Sequence, residues 1–190
     1  MSHRPLDPRR RRRTGPPDRG ALAEAVRMLA RRPLTRAEVR TRLHDRGYPE
    51  PDIEEALARL DSIGAVDDAA LARHWVEVRS ARKGHGARRL IRDLEARGVD
   101  PGIAQRALVE AVEGDGVDLD AVLRREAGKR VRALGARRDR RAYARVYTAL
   151  LRAGFEPGEI HEALTTHFSG SGEPQDGHPD GTGNHDHDLE

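Results

Sequence analysis

One arrangement of apolar residues around a glycine occurs three times in this chain and limits the folds open to it. The glycines are Gly47, Gly98 and Gly154, spaced 51 and 56 residues apart. Counted from the glycine, positions −8, −4, 0, +9 and +10 are Val39, Leu43, Gly47, Ala56 and Leu57, then Leu90, Leu94, Gly98, Ala107 and Leu108, and then Val146, Leu150, Gly154, Ala163 and Leu164. This recurrence predicts three divergent repeats, each made of a helix, a glycine corner and a second helix.

The central copy shows most clearly how a repeat folds. Its first helix carries an apolar stripe at i, i+3, i+4 and i+7, formed by Ala87, Leu90, Ile91 and Leu94. Gly98 ends this helix, because glycine adopts the left-handed conformation that often follows a helix C-terminus. Asp100 and Pro101 have the residue types preferred at the N-cap and the first position of the next helix. The alternative is three unrelated helical hairpins, which would not repeat the same residue types at the same offsets.

Composition favours an array over separate domains. Charged residues make up 35% of the 190 residues and aromatic residues 3%, so each unit has a thin core of Leu, Val, Ile and Ala. Such small helical units gain stability by stacking on a neighbour. We therefore predict an all-α fold, an elongated tandem array of three three-helix units with disordered N- and C-terminal tails. The predicted limits are 1–20 for a disordered basic arm, 21–65, 66–113 and 117–168 for the three units, and 169–190 for a disordered acidic tail rich in His, Asp and Gly.

The remaining helices are predicted from apolar spacing and capping residues. Residues 21–32 form a first helix, and Thr35 and Glu38 form a capping box that opens the second. Either Asp67 or Asp68 caps a helix that runs to Gly84. The predicted inward stripes are Leu22, Val26 and Leu29 on the first of these helices, Leu71, Trp75 and Val78 on the helix before Gly84, and Tyr143, Val146, Tyr147 and Leu150 on a helix capped by Asp139. The single tryptophan is therefore interpreted as a core residue.

The chain offers little of what catalysis or membrane insertion requires. It has no cysteine, which excludes disulfides and thiolate chemistry, and no apolar run of about 20 residues that could span a bilayer. The N-terminus lacks the apolar core of a secretory signal, so we expect a cytoplasmic protein. His161 and Glu162 begin like a zinc motif, but Thr165 stands where the second histidine is needed.

Two other segments resemble ligand sites only superficially. Gly84 to Gly86 follow a predicted helix and lack the Lys-Ser/Thr pair of a phosphate-binding loop. Three histidines stand among aspartates near the C-terminus, where we interpret them as solvated, namely His178, His185 and His187. We expect no enzymatic activity, no metal, no cofactor and no small-molecule substrate.

The charge of the chain is unevenly distributed, although its net value is only +3. Residues 1–20 carry +5 and residues 169–190 carry −6. In the central copy, Arg88, Arg89 and Arg92 fall within an arc of about 100° opposite the predicted apolar stripe. The candidates for contact with a partner or with DNA are Arg79, Arg88, Arg89, Arg92, Arg124, Arg125, Arg137, Arg138, Arg140 and Arg141. The alternative is an arginine-rich solvated surface, because almost all of the basic residues are arginine.

Two motifs of the central copy follow one another in a fixed order. Val66-Asp67-Asp68 stands before Leu71-Ala72, and Arg79 stands ahead of Gly84-x-Gly86-x-x-Arg89-Leu90-x-x-Asp93-Leu94-x-x-Arg97-Gly98-Val99. In these motifs the central copy resembles the RecX family, bacterial regulators of the recombinase RecA. The resemblance extends through the repeats over about residues 21 to 168, and the second copy is the most diagnostic. Two positions depart from the family pattern: His85 stands where a tyrosine is usual, and Ile91 where a second basic residue often stands.

The resemblance implies a non-enzymatic protein that lies along the groove of the RecA filament on single-stranded DNA. Members of the family typically block filament growth or promote disassembly, which lowers ATP hydrolysis, strand exchange and the coprotease activity that launches the SOS response. We expect a monomer that contacts single-stranded DNA weakly or through the filament. The alternative is a DNA-binding protein with helix-turn-helix-like hairpins, although Gln105 is the only glutamine in the repeats and no asparagine precedes Asn184.

Overall fold

The computed structural model describes residues 19–114, 116–137 and 139–168, and in them the chain forms nine α-helices and no strand. The helices are α1 (Ala21–Leu29), α2 (Arg36–His44), α3 (Glu50–Ser62), α4 (Asp68–Lys83), α5 (Ala87–Glu95), α6 (Pro101–Glu113), α7 (Leu119–Arg132), α8 (Arg140–Ala153) and α9 (Pro157–Phe168). The all-α prediction is confirmed. The tails predicted to be disordered lie outside the described residues, except for Arg19 and Gly20.

The helices pack in consecutive groups of three, which confirms the tandem array of three-helix units. Helices α1 to α3, α4 to α6 and α7 to α9 each contact one another, and α4 also contacts α7. Each group encloses its own cluster of buried apolar residues. The repeated leucines Leu43, Leu94 and Leu150 are all fully buried. Val66 and Val117 pack into the core of the unit before them, so the chain passes from one core to the next within short connections.

The three glycine corners share one hydrogen-bonded geometry. Gly47, Gly98 and Gly154 have φ angles of 83°, 79° and 94°, which only glycine adopts without strain. The glycine and the residue after it both donate backbone N–H groups to the last turn of the preceding helix, as in a Schellman motif. The longer of these bonds run from Tyr48 N to Leu43 O at 3.2 Å, from Val99 N to Leu94 O at 3.1 Å and from Phe155 N to Leu150 O at 3.3 Å. The corners therefore form as the repeat pattern predicts.

The helix starts are also set by the capping residues predicted from the sequence. Thr35 and Glu38 form the complete capping box of α2. The carboxylate of Asp100 accepts from the first turn of α6, and that of Asp139 accepts from Ala142 N on α8 at 2.7 Å. Of the two aspartates before α4, Asp67 is the N-cap.

The inward stripe predicted for α1 is wrong at two of its three positions, whereas the third, Leu29, is partly buried against the first core as predicted. Leu22 is 36% exposed and Val26 is 48% exposed, so these two side chains face away from the core. The residues that face inward are Ala21, Glu24, Ala25 and Met28. Small alanines let α1 approach α3 closely. Glu24 is tolerated inside because Arg27 and Arg46 lie at its carboxylate, at 2.8 Å and 3.2 Å.

The stripe predicted for α4 is displaced by about one residue. Ala72 and Val76 are fully buried, whereas Leu71, Trp75 and Val78 are only half-buried. Helix α4 packs mainly on α6, and small side chains on both helices allow that approach. The tryptophan therefore lies at the margin of the second core and is not at its centre.

Candidate interaction surface

The first two units meet at a contact that we call joint one, where the corner after α5 reaches the start of α2. The Thr35 hydroxyl donates to the Arg97 carbonyl oxygen at 2.7 Å. The Arg97 guanidinium donates to both carboxylate oxygens of Glu38, at 3.1 Å and 3.0 Å. Thr35 therefore caps α2 and also forms a hydrogen bond to the second unit.

A second contact in joint one explains the paired aspartates of the Val66-Asp67-Asp68 motif. Asp67 caps α4, whereas the Asp68 carboxylate accepts the backbone N–H of Arg36 in the first unit at 2.9 Å. Burial raises the pKa of Asp68, although this hydrogen bond and the charge of Arg36 oppose the shift. Asp67 therefore stabilises the start of its own helix, and Asp68 binds the backbone of the neighbouring unit.

The second and third units meet at joint two, which repeats the arrangement of joint one. The backbone N–H of Gly86 donates to Ala153 O at 2.8 Å, and that of Arg88 donates to Gly154 O at 3.1 Å. Carbonyl groups at the C-terminus of α8 thereby satisfy N–H groups at the N-terminus of α5, and unlike ends of two helix dipoles meet. In both joints, the corner of one unit docks on the second helix of the unit before it.

Joint two requires glycine where the two units approach most closely. A Cβ added to Gly86 would lie 2.6 Å from the carbonyl carbon and oxygen of Gly154. A Cβ added to Gly84 would overlap the carboxylate group of Glu126 on α7. These glycines are therefore needed for the close contact between the second and third units.

His85 lies between these two glycines and adds no positive charge near neutral pH. Burial lowers its pKa, and the charge of Arg89 lowers it further. The Asp93 carboxylate, 3.4 Å from its Nδ1, opposes the shift without reversing it.

The structure places two of the candidate arginines, Arg88 and Arg89, at joint two. Arg88 pairs with Glu156 of the third unit, and Arg89 lies 3.4 Å from Asp93 and donates to Arg152 O at 3.3 Å. Arg88 and Arg89 remain partly exposed although both make contacts at joint two, and only Arg92 on this face of α5 is exposed without an ion pair in the described part of the chain.

Arg125 and Arg79 also make contacts within the molecule. Arg125 on α7 donates to Ser80 O at 3.2 Å and to Ala81 O at 3.1 Å, so it covers the C-terminal carbonyls of α4. The Arg79 Cζ lies 4.1 Å from the centroid of the Trp75 ring. Sequence reasoning missed Arg97, whose Cζ lies 4.6 Å from the same centroid. Arg97 stands beside Gly98 in the motif that carries the family resemblance, and this position could have identified it from the sequence.

The remaining candidates lie on the third unit. Arg124 is exposed and 3.9 Å from Asp118, too long for a strong pair. Arg140 and Arg141 are exposed at the start of α8, and neither is ion-paired within the described ranges. Arg137 is exposed as well, and Arg138 lies outside the described residues. The third unit therefore carries a group of exposed arginines on α7, on α8 and on the connection between them.

An open groove of about 310 Å³ runs along α4 and was not predicted from the sequence. We call it the α4 groove, and its lining residues are His74, Trp75, Val78, Arg79, Arg82 and Lys83. Arg82 and Lys83 are exposed, and neither pairs with a carboxylate among the residues that the structure describes. Their spacing of three and four residues from Arg79, which puts them on one helix face, was the signal for this surface.

The described residues contain no cluster of three or more His, Cys, Asp or Glu side chains that could hold a metal ion. The histidine of the incomplete zinc motif has a different contact, because His161 Nδ1 lies 2.9 Å from the Tyr143 hydroxyl. None of the described helices combines the length and the apolarity that crossing a membrane requires.

The Glu38 carboxylate makes joint one sensitive to acid. Burial opposes its ionisation, but hydrogen bonds from Arg97 and from the Thr35 backbone outweigh burial and leave the pKa of Glu38 below its usual value. A carboxyl group with a lowered folded-state pKa stabilises the fold above its unfolded-state pKa, and this contribution is lost as pH falls through the folded-state pKa.

We therefore expect Glu38→Gln to lower the free energy of unfolding by about 1–3 kcal/mol at pH 7, because Arg97 loses its charged acceptor. Urea unfolding followed by circular dichroism between pH 7 and pH 3 measures both effects. The wild-type protein should lose stability more steeply than the variant as pH falls below the usual range of a glutamate pKa. Parallel curves for the two proteins would contradict this role of Glu38.

The fold and its surface define a class of protein: an all-α protein of three consecutive three-helix units that are joined by hydrogen bonds and carry exposed cations. Residues 21–60 match the family model for the first three-helix domain of RecX, and residues 67–108 match that for the second. A "Regulatory protein RecX" from Thermobifida fusca is 30% identical over 169 residues, which cover 84% of this chain and 90% of that protein. The chain belongs to the RecX family.

Two further relatives extend the comparison. The "Regulatory protein RecX" of Mycobacterium ulcerans is 42% identical over 97 residues, which cover 50% of this chain and 56% of that relative. The chain thus matches little more than half the length of this relative. The crystal structure of RecX from Lactobacillus salivarius superposes with a TM-score of 0.68 at 20% identity, covering 78% of this chain and 94% of that one. This last similarity shows the fold.

Proposed function

We propose that this protein binds the filament that RecA forms on single-stranded DNA and inhibits its assembly, ATP hydrolysis, strand exchange and SOS coprotease activity. The observation that carries the proposal is the pair of hydrogen-bonded joints, in a chain of the RecX family. They hold three similar units in a fixed series, as recognition of a target with repeating subunits requires. The protein acts as a monomer in the cytoplasm and uses no cofactor.

The joints make simultaneous contacts effective. If each unit contacts a different filament protomer, the second and third contacts become intramolecular and raise the overall affinity without any single strong contact. Because the joints are bonded through backbone groups, the cations on α4, α5 and α8 keep their spacing. A flexible chain of the same three units would lose much of this advantage.

The alternative, direct DNA reading by helix-turn-helix-like hairpins, finds less support. In such a protein the helix after the corner enters the major groove and approaches phosphates. Here that helix is acidic in the outer two units, with Glu50 and Asp52 exposed on α3 and Glu159 and Glu162 exposed on α9. Carboxylates at these positions would repel DNA phosphates.

A titration into RecA, single-stranded DNA and ATP tests the proposed function. ATP hydrolysis should fall as the protein is added, and binding to the RecA-coated strand should be tighter than binding to the same DNA without RecA. Repeating the titration without residues 1–20 and without residues 169–190 measures the contribution of each tail. Equal affinity for naked and coated DNA would reject the filament as the target.

The exposed arginines of α8 give a sharper prediction. Arg140→Ser together with Arg141→Ser should weaken inhibition of the RecA ATPase about threefold to tenfold, because exposed charge contacts contribute up to about 1 kcal/mol each. Neither side chain is paired within the described segments, so the helical circular dichroism should stay unchanged. The matched control is Arg59→Ser with Arg106→Ser, two exposed arginines outside the candidate set. A larger loss in the control pair would remove α8 from the site.

A further inference from the structure

The α4 groove combines unpaired cations with an apolar floor. Arg82 and Lys83 have no carboxylate partner in the described part of the chain, and the Arg79 guanidinium rests on the Trp75 ring. The indole Nε1 is buried and has no hydrogen-bond partner there. The accessible polar groups of the groove are therefore cations, and they favour a ligand that brings anionic oxygens.

The groove is better suited to carboxylates than to stacked bases. The guanidinium of Arg79 and that of Arg97 both lie within 4.6 Å of the Trp75 ring centroid, so the ring is already in contact with two cations. Stacking platforms for single-stranded nucleic acid need a free aromatic face. Guanidinium and ammonium groups beside one another can instead receive several carboxylates along a chain segment.

The chain itself contains a segment with that chemistry. The 22 residues 169–190 include neither Lys nor Arg. Their six carboxylates are Glu173, Asp176, Asp180, Asp186, Asp188 and Glu190. The charge of this segment is therefore complementary to that of the α4 groove.

The attachment point of this segment permits contact with the groove. It follows Phe168 at the end of α9, which packs on α7, and α7 reaches the C-terminal end of α4 through Arg125. The distance from the end of α9 to the α4 groove is the sum of two interhelical spacings, α9 to α7 and α7 to α4, and an offset along the helix axes, which is roughly 20–30 Å. A Gly-rich chain of 22 residues has a root-mean-square end-to-end distance of about 25 Å, and effective concentration is highest when this length matches the span.

We propose that the acidic segment 169–190 docks in the α4 groove, with its carboxylates on Arg79, Arg82 and Lys83. The docked segment covers cations that an anionic partner would otherwise reach. The groove is favoured over the arginines at the start of α8 because it is a concave surface that is lined by three cations, Arg79, Arg82 and Lys83.

The single tryptophan of the chain makes the docking directly measurable. In a ¹H–¹⁵N correlation spectrum of the full-length protein without RecA or DNA, one indole Nε1–H resonance reports the α4 groove. The test variant keeps the whole chain and neutralises the segment with Glu173→Gln, Asp176→Asn, Asp180→Asn, Asp186→Asn, Asp188→Asn and Glu190→Gln. Its indole resonance should shift, and a synthetic peptide of residues 169–190 should restore the wild-type position.

Charge reversals identify the docking surface. Arg82→Glu with Lys83→Glu in the neutralised background should weaken peptide binding at least tenfold. The matched pair Arg141→Glu with Arg145→Glu reverses the same charge on α8, where both residues are exposed, and should leave peptide affinity within twofold. Raising the salt to about 1 M, where the Debye length is about 3 Å, should release the segment in the wild-type protein.

Two outcomes would overturn the docking. One is an identical indole resonance in the wild-type and neutralised proteins. The other is a loss of peptide binding in the α8 pair but not in the α4 pair. Neither outcome bears on the proposed function, because RecA is absent from the measurement. If the docking and the proposed function are both correct, a consequence that rests on the proposed function follows. The neutralised variant should inhibit the RecA ATPase at a lower concentration than the wild-type protein.

Discussion

Gly154→Ala should lower the free energy of unfolding by about 2–5 kcal/mol and separate the second unit from the third. The φ angle of Gly154 is 94°, and an alanine in the left-handed region costs about 1–2 kcal/mol. A Cβ there would also fall on the backbone nitrogen and the Cβ of Arg89, which overpacks joint two and costs about 1–3 kcal/mol more. Urea unfolding followed by circular dichroism measures the total.

Gly47→Ala is the matched control, because Gly47 occupies the same repeat position in the first unit. Its φ angle is 83°, but a Cβ there would meet nothing within 4 Å. We expect only the conformational cost of about 1–2 kcal/mol. The difference between the two variants measures the close approach at joint two. Equal losses would show that this approach contributes nothing to stability.

Leu94→Ala should lower the free energy of unfolding by about 2–5 kcal/mol through the cavity that it leaves. Leu94 is fully buried in the second core, and its carbonyl oxygen accepts the Val99 N–H at the corner that forms joint one. The second unit lies between the other two, so a loss there also weakens both joints. Unfolding curves from circular dichroism in urea give the change.

An exposed apolar residue provides the comparison for Leu94. Ile63 is 70% exposed after α3, and Ile63→Ala should change the unfolding free energy by less than about 0.5 kcal/mol. If Leu94→Ala were equally mild, the stripe that defines the repeat would not be the core of the second unit.

The repeat pattern correctly predicted the features that depend only on residues close together in the sequence. Gly47, Gly98 and Gly154 end helices because a left-handed residue is needed there, and neighbouring residues supply the hydrogen bonds of each corner. The capping aspartates and the Thr35 capping box act within three residues. Such features follow from residue type and spacing alone, so the sequence was sufficient to predict them.

The same reasoning was wrong about helix orientation on α1 and α4. It assigned large apolar residues to the core, whereas the structure buries Ala25 and the ion-paired Glu24 on α1, and Ala72 and Val76 on α4. A helix with apolar residues on adjacent faces has two plausible orientations about 100° apart. Close approach through small residues selects between them, and that depends on the partner helix.

The arginines show the same limit at the candidate surface. Their exposure could be estimated from helical spacing, but Arg88, Arg89 and Arg125 make contacts with groups in another unit. Those partners lie 44 to 68 residues away in the chain, so no local pattern connects them. The α4 groove was missed for a related reason, because it forms where Trp75 lies at the margin of the second core.

By itself, the sequence of this chain determined its helices, its glycine corners, its threefold repetition and its family resemblance, because each depends on residues close together or on their recurrence. Only the tertiary structure decided which face of each helix is buried, how units dock corner to helix start, and which cations remain unpaired. These properties depend on distances between groups far apart in the chain, and those distances are set only when the units pack against one another.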